Sequence, residues 1–358
     1  MALSSDPILV PLPHQPGILV IHLLNSCNLL CQHCYMDAGS GHPTHLPFEL
    51  LTRSLDDIRE LNIGTVYLSG GEPFLYSKLP EVLQFFSHQQ DLNLCISTNG
   101  TLIGPEEATL LKGSGAEARV SIDGPMEYHD MFRGSSGAFH RSENGIKQLV
   151  AAGVSVGVLI TVCQENIMWV PWLAEWAAEI GASRLTVQPL LQLGRGSLIS
   201  DKKLSEQQLC ELFLQLSDLG HTYRSRGLSL SLAYHTHQYL LAHPCVAYVC
   251  NGPSCHQNVS KEIKRLVIRE DGTVLPEIPT LHHMFGLGNL RDGTLKELMV
   301  SYFNEGYAQF DRLCRTVYGE LMPTWTQPLI PWEEIISERS WEVGLRGLKV
   351  SDQGLAPF

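Results

Sequence analysis

Three cysteines fall within eight positions of one short stretch: Cys27, Cys31 and Cys34 in NSCNLLCQHCY (25–35), spaced C-x3-C-x2-C. Thiolates are soft ligands that suit zinc or iron–sulfur clusters. A structural zinc closes on four ligands, and His33 is the available fourth. On a four-iron cluster the same three thiolates leave one iron without a protein ligand. That open position is what a catalytic centre needs, because a cofactor or substrate can fill it. Three unrelated buried cysteines do not account for this density.

Further polar runs recur along the first half of the chain. LSGGEPFL (68–75) offers Gly70 and Gly71, which let backbone approach a ligand closely, and Glu72, which can accept a hydrogen bond from an ammonium group. ISTNG (96–100) offers the short polar side chains of Ser97 and Asn99, and also reads as an Asn–Gly turn. VSIDGPMEYHDMFRG (120–134) carries Ser121, Asp123 and Arg133, whose guanidinium can pair a carboxylate in bidentate fashion. A second cysteine group, Cys245, Cys250 and Cys255, sits in HPCVAYVCNGPSCHQN (243–258), and Cys314 lies downstream. Cys95, Cys163 and Cys210 stand in apolar contexts and read as inert buried thiols.

These residues need a frame. Short β-rich runs at 17–24, 65–69, 92–97, 118–122, 154–162 and 184–188 alternate with helical patterns at 47–62, 78–89, 104–113, 140–152 and 169–180. Six such units predict a parallel sheet with right-handed crossovers, either an open doubly wound sheet or a partial or full barrel. In both, chemistry sits at the carboxyl ends of the strands. Cys27, the 70–73 run, Ser97, Asn99 and Asp123 each come at or just after the end of a predicted strand. A helix over 203–226 follows, then SLSLAYH as one more possible strand. EIKRLVIRE and TVLPEI, joined by Asp271–Gly272, predict a hairpin. The last 60 or so residues read as helices with exposed tryptophans.

The bulk properties agree with a soluble enzyme. The chain has 358 residues, 44% of them hydrophobic, and a net charge of −12 from 25 basic and 37 acidic residues. That charge gives no reason to expect nucleic-acid or anionic-membrane binding. The N-terminus lacks a basic leader and an apolar core, and no apolar stretch of about 18 residues exists, so neither a secretory signal nor a membrane span is expected. Ten cysteines without an export signal read as metal ligands or free thiols in a cytoplasmic protein.

The loop C-x3-C-x2-C followed by Tyr35 resembles the radical S-adenosylmethionine (radical SAM) superfamily, and the GGEP and SIDG…HD-x-x-RG runs resemble its later motifs in order and distance. The resemblance covers about 17–196 closely. It implies a partial (β/α)6 TIM-type barrel, with Cys27, Cys31 and Cys34 holding a [4Fe–4S] cluster whose open iron chelates S-adenosylmethionine. One electron then cleaves the sulfonium to a 5′-deoxyadenosyl radical, which abstracts hydrogen from a substrate. By the same resemblance Tyr35, Gly70, Gly71, Glu72, Ser97, Asn99, Ser121, Asp123 and Arg133 contact the cofactor, the Arg133 guanidinium pairing with the cofactor's carboxylate, while the backbone near Gln188 and Leu191 packs on the adenine. A flavodoxin- or ferredoxin-type donor would supply the electron.

Residues 243–298 resemble more weakly the SPASM or twitch extension of that superfamily, a small α+β auxiliary domain that binds one or two further clusters. The pattern is degenerate: Glu277 follows Pro276 where a cysteine is usual, and the later cysteine run is missing. Two auxiliary clusters are therefore excluded by counting. One cluster on Cys245, Cys250, Cys255 and Cys314, one using a ligand such as Glu277, and a metal-free remnant all survive. The expected organisation is an extension over 1–16, a barrel over 17–226, an auxiliary domain over 227–300 and a helical segment over 301–358. The motif set favours a peptide substrate, with crosslinking, epimerisation or oxidation as outcome. A small molecule (sugar, nucleoside, amino acid or tetrapyrrole) is the alternative. Residues 1–16 leave no room for a leader-binding domain, so a peptide would need a separate partner or the C-terminal segment.

Overall fold

The computed structural model describes residues 17–55, 57–89, 91–244, 247 and 263–351. Seven strands run parallel in chain order: β1 (Gly17–His22), β2 (Ile63–Ser69), β3 (Asn93–Thr98), β4 (Glu117–Ser121), β5 (Val156–Val162), β6 (Arg184–Pro189) and β7 (Ser229–Leu232). Each is joined to the next through helical crossovers, among them α1 (Phe48–Leu55), α2 (Asp57–Glu60), α3 (Leu79–Ser87), α4 (Pro105–Ser114), α5 (Met126–Arg133), α6 (Ala138–Ala151), α7 (Val170–Glu179) and α8 (Glu206–Arg224). The alternation read from the sequence is thus present. The 126–133 stretch adds α5, because it buries His129, Phe132 and Arg133 on one side.

Strand alternation explains the layers. Leu19, Ile21, Val66, Leu68, Leu94, Ile96, Val120, Val158, Leu185 and Val187 point one way and are buried beneath the helices. The register places Leu68 beside Ile96, Val120 beside Val158, and Ile160 beside Val187, so the buried rows continue from strand to strand. The alternate positions, Thr65, Tyr67, Ser69, Ser97, Arg119, Ser121, Thr186 and Gln188, stay partly exposed on the other face.

After the short β8 (His235–Thr236) and α9 (His237–Ala242), the predicted hairpin appears as β9 (Arg265–Ile268) and β10 (Thr273–Pro276), turning at Gly272 with φ +87°. β9 pairs parallel with β1, and β11 (Gly288–Asn289) pairs antiparallel with β10, giving a ten-stranded sheet in the order β11-β10-β9-β1-β2-β3-β4-β5-β6-β7. Helices α10 (Leu295–Glu305) and α11 (Tyr307–Leu321), the short β12 (Leu329–Ile330) and α12 (Trp332–Ser351) complete the fold. Thr294 caps α10 and forms a capping box with Glu297. Of the C-terminal tryptophans Trp341 is exposed, but Trp332 is buried in the core. Among the described residues no helix is long and apolar enough to cross a membrane.

Candidate functional site

The cysteine loop follows β1 and lies over the carboxyl ends of the sheet. Cys31 is buried with Leu29 and Ala138, and Cys27 and Cys34 pack against this cluster. Each sulfur meets an N–H donor from a different part of the chain. The Ala38 amide lies 3.3 Å from Cys34 Sγ, Arg133 Nη1 3.7 Å from Cys31 Sγ, and Asn99 Nδ2 4.0 Å from Cys27 Sγ. Donors aimed at sulfur stabilise thiolates. Burial works the other way, pushing Cys27 up to about 11 and raising Cys31 as well. Buried thiols with thiolate-stabilising donors fit a site whose ligands lose their protons when metal arrives.

His33 is not turned to this purpose. Its ring stacks on Phe132 at 4.3 Å between centroids, and its Nε2 lies 3.6 Å from Asp123 Oδ2. Among the described residues no three His, Cys, Asp or Glu side chains gather around a single-ion position. A tetrahedral zinc needs such a point. A four-iron cube, ligated at separate corners, does not.

Gly70 and Gly71 are required by packing within the protein itself. A Cβ on Gly70 would lie 2.4 Å from Leu24 O, and one on Gly71 2.0 Å from Ser26 O. The Gly71 amide donates to Leu24 O at 2.7 Å and the Glu72 amide to Ser26 O at 2.9 Å. The GGEP run is therefore pressed against the backbone of the cysteine loop. Glu72 is fully buried. Its carboxylate accepts from Thr98 Oγ1 (2.7 Å), the Asn99 amide (2.8 Å) and the Phe74 amide (3.2 Å). A carboxylate has about four acceptor positions, so about one remains for a ligand. Burial raises the Glu72 pKa, against the pull of the Asn99, Thr98 and Phe74 donors.

Asp123 and Arg133 form a buried ion pair, Nε to Oδ2 at 2.6 Å. Asp123 Oδ1 also accepts the Thr161 amide at 3.0 Å. Asp123 thus faces protein partners rather than open space, and Arg133 bridges it to the cysteine loop. Ser97, Ser121, Gln188 and Leu191 stand partly open at or near the ends of β3, β4 and β6, and Tyr35 reaches His22 Nε2 at 3.3 Å. Asn99 Nδ2 donates to Asn28 Oδ1 at 2.8 Å, tying the end of β3 to the loop.

Sequence reasoning missed several residues here. Arg195 donates from Nε to Cys31 O (2.7 Å) and from Nη1 to Asp37 Oδ1 (2.7 Å) and Ala38 O (3.0 Å), and its own amide donates to Cys34 O (2.9 Å). Gly194 beside it has φ +53°, and a Cβ there would lie 2.5 Å from Cys34 O. The signal available was an arginine flanked by two glycines after a strand. Asn166, fully buried, donates to Asp123 O at 3.0 Å and accepts the Cys163 amide at 2.7 Å. His22 Nδ1 lies 3.9 Å from Glu270 Oε2 without a hydrogen bond between them, and burial followed by the charge of Arg269 lowers the His22 pKa to about 4.

Of the second cysteine group, Cys245, Cys250 and Cys255 lie outside the described residues. Cys314 is buried in α11, and burial followed by the Glu277 and Asp311 carboxylates raises its pKa. Glu277 follows β10 with φ +58° and accepts the Lys264 amide. His282 is buried under α12, with Trp341 edge-on to its ring at 4.9 Å.

Residues 21–177 match the Radical SAM superfamily. The chain carries a radical SAM domain. That family uses a [4Fe–4S] cluster and S-adenosylmethionine. The chain is similar to an Fe-coproporphyrin III synthase of Methanosarcina barkeri, 30% identical over 68% of this chain and 59% of the relative. It is also similar to the sporulation killing factor maturation protein SkfB of Bacillus subtilis, 31% identical over 51% of this chain and 44% of that protein. The chain thus spans about half the length of these relatives. Its fold is that of SuiB from Streptococcus suis, a structure bound to S-adenosylmethionine, with TM-score 0.66 and 19% identity over 84% of this chain and 68% of SuiB. This likeness makes the curved parallel sheet of the radical SAM domain a partial barrel.

Proposed function

We propose that this chain is an enzyme that reductively cleaves S-adenosylmethionine at a [4Fe–4S] cluster held by Cys27, Cys31 and Cys34, and uses that chemistry to abstract hydrogen from an organic substrate at the carboxyl ends of the strands. The observation that carries this reading is the sulfur environment: three cysteines, each with its own N–H donor, on a loop clamped over the strand ends. When bound, such a cluster supplies the single electron that splits the sulfonium. The residues of the chain bind, orient and exclude water. Ser97, Ser121 and Gln188, with Leu191 and Tyr35 beside them, take the cofactor. Gly70, Gly71, Glu72 and Asn99 hold the loop that presents it, and Asp123 and Arg133 fix the loop from the other side.

The cytoplasm, with a flavodoxin- or ferredoxin-type donor, suits this chemistry. The division at 226/227 and 300/301 stands as part of the proposal, the auxiliary region contributing β7 and the hairpin to the same sheet. One auxiliary cluster on Cys314 with residues of 245–255 stays part of the proposal; burial followed by the Glu277 carboxylate raises the Cys314 pKa, so this thiol would lose its proton only on binding metal.

For the substrate, the likeness to the Fe-coproporphyrin III synthase runs over 250 residues, well past the 21–177 domain, whereas that to SkfB runs over 183. That reach supports a tetrapyrrole as the first reading, the reverse of the order the motifs favour. The SIDG…RG run and the likeness to SkfB support a ribosomal peptide as the second. The experiment is anaerobic reconstitution with dithionite, S-adenosylmethionine and either an iron porphyrin or a precursor peptide, reading 5′-deoxyadenosine. Cys→Ala at positions 27, 31 and 34 should lower the iron content by about four per chain and abolish that product. A triple variant that keeps the wild-type iron content or still forms 5′-deoxyadenosine rejects the assignment.

A further inference from the structure

A second feature lies at the opposite end of the sheet. The amino ends of β2–β6 surround a cavity of about 630 Å³, lined among others by Thr65, Tyr67, Cys95, Glu117, Arg119 and Arg184. Arg184 stands four residues before Gln188, about 13 Å along β6 from the carboxyl end. The cavity is therefore separate from the cysteine loop: it lies at the amino-end rim of the sheet, between the inner-face residues Tyr67, Arg119 and Arg184 and the outer-layer residues Leu94 and Leu111.

The interior of a closed barrel is normally filled by branched apolar side chains. Here two guanidiniums occupy it with a single carboxylate between them. Arg119 Nε lies 3.1 Å from Glu117 Oε1, and its guanidinium sits over the Tyr67 ring at 4.6 Å. Arg184 Nε is 3.9 Å from the same Glu117 oxygen, too far for a hydrogen bond; that nitrogen is buried without a partner, while the Arg184 side chain as a whole is 41% exposed. Gly157, on β5 between the two strands, leaves this gap open: a Cβ there would lie 3.4 Å from Glu117 Oε1 and 3.6 Å from Arg184 Cβ. Lys112 adds a further positive charge at the rim, although its ammonium donates to Gly153 O at 2.8 Å. Two guanidiniums carry ten N–H donors against one carboxylate, and because both side chains are partly exposed the donors left over face solvent or a ligand that displaces it. Planar donors in excess, facing a polar cavity, are the recognition chemistry of an oxyanion.

We propose that this mouth of the barrel binds the carboxylate or phosphate group of a small molecule through Arg119 and Arg184, with Glu117 as the internal counter-charge that the ligand displaces. The oxyanion is either an acid group of the radical substrate reaching down the lumen or a free anion bound on its own. Binding is measured without turnover, so this inference stands or falls separately from the cluster assignment.

The test is calorimetric titration of the reconstituted protein with inorganic phosphate and, separately, with succinate. Wild type should bind at least one of them at a single saturable site that weakens with added salt. Arg184→Gln and Arg119→Gln should each weaken binding about tenfold, as expected for loss of a charge-assisted hydrogen bond. Arg184→Lys should weaken it less. Glu117→Gln should tighten binding by removing the competing carboxylate, a direction that damage to folding does not produce. Absence of saturable binding of both probes to wild type overturns the proposal, as does an affinity unchanged in both Arg184→Gln and Glu117→Gln. With a substrate in hand, phosphate that raises its KM without altering substrate-free cleavage of S-adenosylmethionine assigns the site to the substrate's acid group. Binding without that competition assigns it to a free oxyanion.

Discussion

Replacing Arg133 by methionine removes the one full positive charge that, among the described residues, directly contacts the fully buried Asp123 carboxylate. Asp123 Oδ2 then loses a partner at 2.6 Å, which at an effective dielectric of about 20 represents about 6 kcal/mol of Coulomb attraction. The Thr161 amide at 3.0 Å remains. His33 at 3.6 Å is neutral near pH 7 in the wild type, where burial lowers its pKa to about 3; losing Arg133, which lowers it too, moves that pKa up only against the larger effect of burial, so His33 is a poor replacement for the charge. Breaking one side of a buried pair typically costs about 3–5 kcal/mol, and that is the expected loss for Arg133→Met. The double variant Asp123→Asn/Arg133→Met should recover most of it.

The pH dependence has a definite sign. In the wild type burial alone would raise the Asp123 pKa, but Arg133 outweighs it and the pKa is lowered. Its contribution is therefore complete above the unfolded value of about 3.9 and is lost as pH falls through the lower folded value. In Arg133→Met burial acts unopposed, and the folded pKa rises above the unfolded one. The variant is then penalised at neutral pH and recovers as pH falls through its raised pKa, so the gap to wild type should narrow between pH 8 and pH 5. The assay is urea denaturation of the reduced, cluster-free protein at both values. A loss under about 1 kcal/mol, at the level of a surface pair, or a gap that widens toward pH 5, refutes the reasoning.

Two further substitutions probe how the cysteine loop is held. Gly71→Ala places a Cβ 2.0 Å from the Ser26 carbonyl, a collision with backbone that no side-chain movement relieves, so iron per chain after reconstitution should fall severely; full loading would show that the loop tolerates displacement. Arg195→Leu removes the three hydrogen bonds that the guanidinium donates to Cys31 O, Asp37 Oδ1 and Ala38 O, while leaving every cysteine in place. Its cluster should assemble but be stripped by a chelator several-fold faster than wild type, and an unchanged rate of iron release would count against the clamp.

The strand–helix alternation was legible because the buried positions, such as Val66 and Leu68 on β2, are apolar at a period of two, and the hairpin because Asp271–Gly272 supplies its turn. The cysteine loop was legible from spacing alone. The roles of its neighbours were not. Glu72, Asp123 and Arg133 carry the polar groups of a ligand site, yet all three are occupied by protein partners 26, 10 and 102 residues away in sequence. Such pairings depend on which strand ends meet, and no local pattern encodes that. Arg195 escaped notice for the same reason: its partners Cys31 and Asp37 lie 164 and 158 residues earlier. The pairing of β9 with β1 was also hidden, since a β-rich run does not declare its neighbour.

The two glycine runs share one physical explanation. Gly70 and Gly71 after β2, and Gly194 after β6, each bring backbone to within a distance at which a Cβ would collide with a carbonyl of the 24–35 segment. The loop is thus held from two strand ends on opposite sides by contacts that only glycine permits, and pinned by Arg133 and Arg195 between them. A loop fixed by backbone keeps its three sulfurs in place before any metal is present, so little ordering entropy remains to be lost when ligands bind. The same fixity constrains where an open coordination position can point. The helices cover the outer face of the sheet, and the inner face presents Ser97, Ser121 and Gln188. On the proposed reading, a cofactor held at this loop would face the polar inner surface that carries Ser97, Ser121 and Gln188.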